Sequence, residues 1–348
     1  MKVSFVSSQA ISKAMRYQTA RLQSDLTKAT TEMSTLRVAD TGLALGARSS
    51  LSVALHREID RLKGITDSNE LASARLKSTQ TGLQELTDAA TTLLSDYSAA
   101  LSGAGDPSIA RAQAAKTLTL MSSVLNTNQN GENIFAGINT DVMPFNDFTD
   151  PASPNRVAFD AAFTAHFGFA ADDPAAAGIT AAQMDAFLAG VEPQFTGAGW
   201  QGAWSRADDR LITTRITLTE TAQTSVSANI MGFRKLAMAA ATVAAGLAGP
   251  LSEEARDALL KNGIKLAGEA ISELATQQGH TGVTQQRLAQ ANERMSTQID
   301  LFSGSIQNLE GVDEFEAAAR VTSLKTQLEI SYSLTASMQK LSLLNYLS

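Results

Sequence analysis

Leu62 to Tyr97 reads LKGITDSNELASARLKSTQTGLQELTDAATTLLSDY, and one set of its positions steps by three and four without interruption: Leu62, Ile65, Asn69, Ala72, Leu76, Thr79, Leu83, Leu86, Ala90, Leu93, Tyr97. Such stepping puts every member on one face of a helix and is the mark of a coiled-coil seam. The 35 steps between the ends correspond to a helix of about 53 Å at about 1.5 Å per residue. The same stepping recurs near the other end at Leu288, Asn292, Met295, Ile299, Phe302, Ile306 and Leu309, again with one asparagine in the seam. Each of the two stripes is expected to bury itself against the other. The fold class expected is mainly α: an elongated coiled-coil rod formed by N- and C-terminal helices, with a small inserted α+β central domain and a β-hairpin.

Working outward, Ile11, Met15, Gln18 and Leu22 form one run and Leu26, Ala29, Met33 and Leu36 a second, with a skip of four between them. Asp40-Thr41-Gly42 reads as a break, since glycine ends helices and Asp or Thr caps new ones. Ser102 to Pro107 ends the long helix, and Ser108 is placed to cap another through about Asn126. From Asn130 to about Trp204 the composition shifts to proline, phenylalanine, glycine and tryptophan, which suggests an inserted unit with its own core. In it Thr180 to Leu188 reads as a short capped helix, and Phe159, Phe163 and Phe167 lie four apart on one helical face. Asp209 to Leu218 alternates as a hairpin strand does. A helix resumes near Ile230 and ends at Gly249-Pro250, Ser252 caps the next, and Gly279-His280-Thr281-Gly282 marks a break before the last rods. The resulting division is an N-terminal assembly helix over 1–41, a rod half over 42–140, an inserted variable domain over 141–208, a second rod half with the hairpin over 209–310, and a C-terminal assembly helix over 311–348.

Composition narrows function. With 44% hydrophobic residues over 348 positions the chain can bury cores, but only 5% are aromatic, so thin helix-to-helix seams are expected. A formal charge of −7 without a Lys/Arg-rich run argues against nucleic acid as a partner. No cysteine is present, which removes disulfides and thiolate metal sites. Met1 to Val6 runs into the polar Ser7-Ser8-Gln9 rather than an apolar signal region, and Leu236 to Ala248 is too short to span a bilayer. An unanchored chain without a membrane partner is expected.

No catalytic constellation emerges. His56, His166 and His280 are scattered, and none stands in a ligand-spaced motif. Gly197-Ala198-Gly199-Trp200-Gln201-Gly202 matches the dinucleotide fingerprint in letters, but no buried strand precedes it, so it reads as a flexible loop. Asp172-Asp173 and Asp208-Asp209 lack the frame of a calcium loop and read as solvated surface. No enzyme, cofactor or metal is expected. The outermost apolar residues are the candidate functional ones: Ile11, Met15, Leu22, Leu26, Met33 and Leu36 at one end, Leu324, Leu328, Leu334, Met338, Leu341, Leu344 and Leu347 at the other. Two amphipathic helices at chain ends bury little surface between them, so part of that face is expected to be covered by neighbouring molecules.

With those residues in view, the layout of terminal helices around a variable centre resembles bacterial flagellin and its relatives. Gly42-Leu43-Ala44-Leu45-Gly46-Ala47-Arg48 is similar to that family's turn into its long helix, and Thr81-Gly82-Leu83-Gln84-Glu85-Leu86 to a later stretch. Asn130-Gly131-Glu132-Asn133-Ile134-Phe135-Ala136-Gly137-Ile138-Asn139-Thr140 and the end Lys340-Leu341-Ser342-Leu343-Leu344-Asn345-Tyr346-Leu347 are similar to segments of its hook-filament junction members. The resemblance implies a structural subunit of the bacterial flagellum, exported through the flagellar type III channel without a cleaved signal peptide. It also implies partners: flagellin, hook-associated protein 1, further copies in a ring, and a flagellar export chaperone. Flagellin itself, and more remotely a helical signalling rod, are the alternatives.

Overall fold

The computed structural model describes the backbone of residues 8–347 and the side chains of residues 10–338. In chain order the elements are α1 (Ser8–Thr35), the short α2 (Thr41–Leu45), α3 (Ser49–Leu101), α4 (Pro107–Leu125), β1 (Asn128–Gln129), β2 (Glu132–Asn133), α5 (Pro154–Phe167), α6 (Ala181–Thr196), β3 (Thr213–Arg215), β4 (Thr221–Gln223), α7 (Met231–Gly246), α8 (Glu253–Glu310) and α9 (Glu314–Leu347). The fold is mainly α, and its sheets among the described residues are two antiparallel hairpins, β1 with β2 and β3 with β4. Contacts divide the chain into a central unit, Gly64–Arg294, and a terminal unit made of the described residues on either side of it.

The central unit is built on the α3 seam. From Asn69 to Tyr97 every stepping position is buried, and Ile65 is half-buried. The α8 stripe faces it, running antiparallel: Asn69 meets Asn292, Thr87 meets Gln278, and Gly263 lies against the Tyr97 ring. A Cβ at 263 would stand 2.7 Å from that ring, so glycine there is a packing requirement. Beside this pair α4 packs on α7. The β3–β4 hairpin rests on the same two long helices: Ile216 and Ala222 join Ala72, Leu76, Leu288 and Ala291 in one small buried cluster. The strand is shorter than the alternating stretch from Asp209 to Leu218: the regular ladder runs from Thr213 to Arg215, and Ile212 O and Ile216 N extend it by one backbone hydrogen bond at each end, from Thr224 N and to Glu220 O.

Three local expectations need correction. α8 runs unbroken through Gly279 and Gly282, because Leu274, Thr281 and Leu288 on the same helix remain buried in register and packing outweighs the local cost of glycine. The cap of α4 is Asp106, whose carboxylate accepts from Ser108 N at 2.8 Å, with Pro107 opening the helix. The stretch Gly197 to Gly202 is no flexible loop: Trp200–Trp204 is a π-helical turn, and both tryptophans are wholly buried. Their rings stack at 5.7 Å, and Trp200 Nε1 donates to Asn229 Oδ1 at 3.0 Å. Gly199 is needed because a Cβ would fall 2.7 Å from Gln194 Cα.

The phenylalanines of the inserted segment do not form a core of their own. Phe159, Phe163, Phe187, Phe195 and both tryptophans belong to a single apolar cluster that includes α3, α4, α7 and α8. The Asn130–Thr140 segment is the stitch between them. Asn130 and Gly131 take the left-handed conformations of a tight hairpin turn. Phe135 then packs edge-on against Phe233 at 5.7 Å, and Ala136 bridges to Ser227. Gly137, at φ +66°, leaves no room for a Cβ beside the Asp208 carbonyl. Neighbouring Asp208 is held down at about 2, chiefly by hydrogen bonds from the Arg210 side chain and backbone.

Candidate assembly interface

The terminal unit is organised by α1 and α9, which pack along each other in opposite directions: Thr19 Oγ1 and Ser331 Oγ hydrogen-bond at 2.8 Å, Gln23 Nε2 donates to Tyr332 Oη at 2.6 Å, and Arg320 pairs with Glu32 at 3.1 Å. On α9 the inward positions are Ala317, Val321, Leu324, Leu328, Ser331, Thr335 and Met338, all buried or half-buried, in uninterrupted steps of four and three. On α1 they are Ile11, Met15, Thr19, Leu22, Leu26 and Ala29. The inward residue is therefore Thr19 and not Gln18, which is exposed. Only Leu22, Ala29 and Ala317 are buried outright. Small and hydroxylated residues in both stripes let the helices approach closely while removing little apolar surface from water.

Of the residues singled out from sequence, Leu22 is buried and Ile11, Met15, Leu26, Leu324, Leu328 and Met338 are half-buried in this seam. Met33, Leu36 and Leu334 are exposed. Leu334 lies six residues beyond Leu328 and falls off the three-four stepping. It points outward with Ile330, one turn before it, and the two are 48% and 54% exposed. Phe315 and Tyr17, at 85% and 76%, add to the apolar surface that is exposed among the described residues. The side chains of Leu341, Leu344 and Leu347 lie outside the described residues. Sequence reading missed Thr19, Ser331 and the outward Ile330; the signal for the first two was the heptad step itself, which continues through hydroxyl residues.

No cluster of metal-binding residues occurs among the described residues, and no helix among them is long and apolar enough to cross a membrane. The arrangement offers helix faces and apolar side chains for packing. A model of the bacterial flagellin N-terminal helical region matches residues 6–140, and one of the flagellin C-terminal helical region matches residues 264–347. The chain belongs to the bacterial flagellin family. The first match takes in α1 through β2 and the second the greater part of α8 with α9, so both arms of the helical pairs carry it. No curated individual protein matches. The flagellin family is structural and self-assembling, and this member of it is a structural subunit of the extracellular flagellum.

Proposed function

We propose that within the flagellin family this chain is the hook-filament junction protein, hook-associated protein 3. A ring of copies would join hook-associated protein 1 on the hook side to flagellin on the filament side. The observation that carries this choice is the Asn133–Thr140 segment, Asn-Ile-Phe-Ala-Gly-Ile-Asn-Thr, with the Lys340–Leu347 terminus in support. In this reading the outward residues Phe315, Ile330 and Leu334 meet neighbouring copies, joined by the terminal leucines Leu341, Leu344 and Leu347. An export chaperone covers the C-terminal helix before type III export. The domain plan above, with 141–208 as the variable insertion, belongs to the same proposal. The second reading is the filament subunit itself, with which the matches at both ends to flagellin helical regions are equally compatible. Electron microscopy of a deletion strain separates them. A junction role gives bare hooks with flagellin shed into the medium, whereas hooks with normal filaments would overturn it, and loss of the filament protein itself would favour flagellin.

A further inference from the structure

Where α8 gives way to α9, a carboxylate is buried. Glu310, the last residue of α8, has a side chain only 5% exposed. Ser52 Oγ donates to its Oε1, the Arg37 guanidinium stands 3.6 Å from its Oε2, and His56 Nδ1, also within reach of the Ser52 carbonyl at 3.0 Å, is 3.8 Å away. Two of these partners lie on the first turns of α3 and the third on the connector between α1 and α2. The main chain engages the same connector. Val38 N donates to the Glu310 carbonyl at 2.9 Å and Val312 N to the Leu36 carbonyl at 3.1 Å, so the two connectors pair as an antiparallel bridge at Arg37 and Gly311.

One backbone feature carries a cost at this joint, and a second shows how closely it is packed. Leu36 has φ +54°, the left-handed region that a side chain with a Cβ occupies at a cost. Gly311 sits where a Cβ would run into the Gln307 carbonyl oxygen. A leucine left in an unfavourable conformation needs compensation from its surroundings, and the Glu310 carboxylate, with the Ser52 hydrogen bond and the nearby Arg37 guanidinium, lies at the same pair of connectors.

We infer that Glu310 is a latch: its buried carboxylate, hydrogen-bonded by Ser52 and paired with Arg37, holds the paired connectors closed and keeps Leu36 in its left-handed turn. Without the charge the bridge opens, Leu36 relaxes, and the two connectors lose their hold on each other and on the first turns of α3. The inference concerns the chain's own conformation and stands whichever flagellar position is right. Amide hydrogen exchange on the full-length chain tests it. In the unaltered protein Val38 and Val312 are protected; in Glu310→Gln, which keeps the shape and the acceptor for Ser52 but removes the charge that strengthens that bond and attracts Arg37, both exchange faster by about tenfold, while amides from Leu83 to Tyr97 are unchanged. Leu36→Gly, which removes the strain because glycine accepts positive φ, slows both amides and restores part of the protection lost in Glu310→Gln. Unchanged exchange in Glu310→Gln, acceleration spread equally through α3, or unprotected Val38 and Val312 in the unaltered chain would each overturn the latch.

Discussion

Asn69 occupies a seam position where leucine would pack better in isolation, yet it has no exposed surface and its amide nitrogen donates twice, to Ile216 O at 2.9 Å and to Asn292 Oδ1 at 2.8 Å. The two seam asparagines therefore read each other, and one of them also pins the hairpin. Replacing it strands a buried carbonyl and half of an amide pair, so Asn69→Leu is expected to lower unfolding stability by about 1–3 kcal/mol rather than raise it. Urea unfolding measures this, and an Asn69→Leu, Asn292→Leu pair should recover part of the loss. Tyr97 carries a second residue-scale expectation. Its phenol is buried and donates to Ala239 O at 2.9 Å. Burial, aided by the Asp96 charge, raises its pKa well above the ordinary value. The fold thus holds the neutral form. Above pH of about 10 an unfolded Tyr97 ionises while the folded one does not, so its contribution is complete below that pH and declines as pH rises toward the raised folded value. Tyr97→Phe should cost about 1 kcal/mol at pH 7, with the deficit narrowing in unfolding experiments above about pH 10.

At the scale of elements, glycine has two different meanings in α8, and the sequence alone does not separate them. A Cβ at Gly279 or Gly282 would meet nothing within 4 Å, whereas at Gly263 it would press on Tyr97 and Val243. Gly279→Ala and Gly282→Ala should each raise stability by about 0.5–1 kcal/mol, while Gly263→Ala should lower it by about 1–3 kcal/mol through overpacking; thermal unfolding of the three variants checks the opposite signs. The expected break at Gly279–Gly282 failed for the same reason. Local propensity charges each glycine a small sum, but the buried register on either side, from Leu274 to Met295, is longer than the interruption. Caps were more legible, because their chemistry is local. Thr180 and Gln183 form the reciprocal capping box of α6, and Asp40 accepts from Leu43 N at the break after α1. The π-helical turn at Trp200 was not legible: three glycines in six residues look like a loop, and only partners far along the chain, Asn229, Phe145 and Phe148, turn it into core.

For the whole molecule the decisive question is which apolar surface serves contacts between copies. Ile330 and Leu334 are already about half exposed, so Ile330→Glu with Leu334→Glu should leave the unfolding of the central unit unchanged. If each side chain is buried in the assembly, worth about 1.5–3 kcal/mol apiece, the pair should cost several kcal/mol per contact and abolish polymerisation in a sedimentation assay. Leu324→Glu with Leu328→Glu strikes the α1–α9 seam instead and should reduce helical content in the isolated subunit. Normal polymers from the Ile330, Leu334 variant would show that the outward stripe is not the contact surface. The terminal pair Leu341→Glu, Leu344→Glu extends the test to the end of the chain, with purified subunit added to filamentless cells so that lost export is not mistaken for lost assembly.

What the sequence determined by itself is the set of long helices and their apolar stripes. Three-four stepping is a property of one chain segment, and Leu62 to Tyr97 carries it through asparagine and threonine as well as leucine. The family membership is legible for a related reason, since its matches fall on those same helices. Only the tertiary structure decided which partner each stripe meets. It set Thr19 against Ser331, turned Leu334 outward, merged the inserted phenylalanines with the central core, and buried Glu310 at the joint between α8 and α9. Each of these depends on residues tens to hundreds of positions apart, and periodicity specifies a face without naming what covers it.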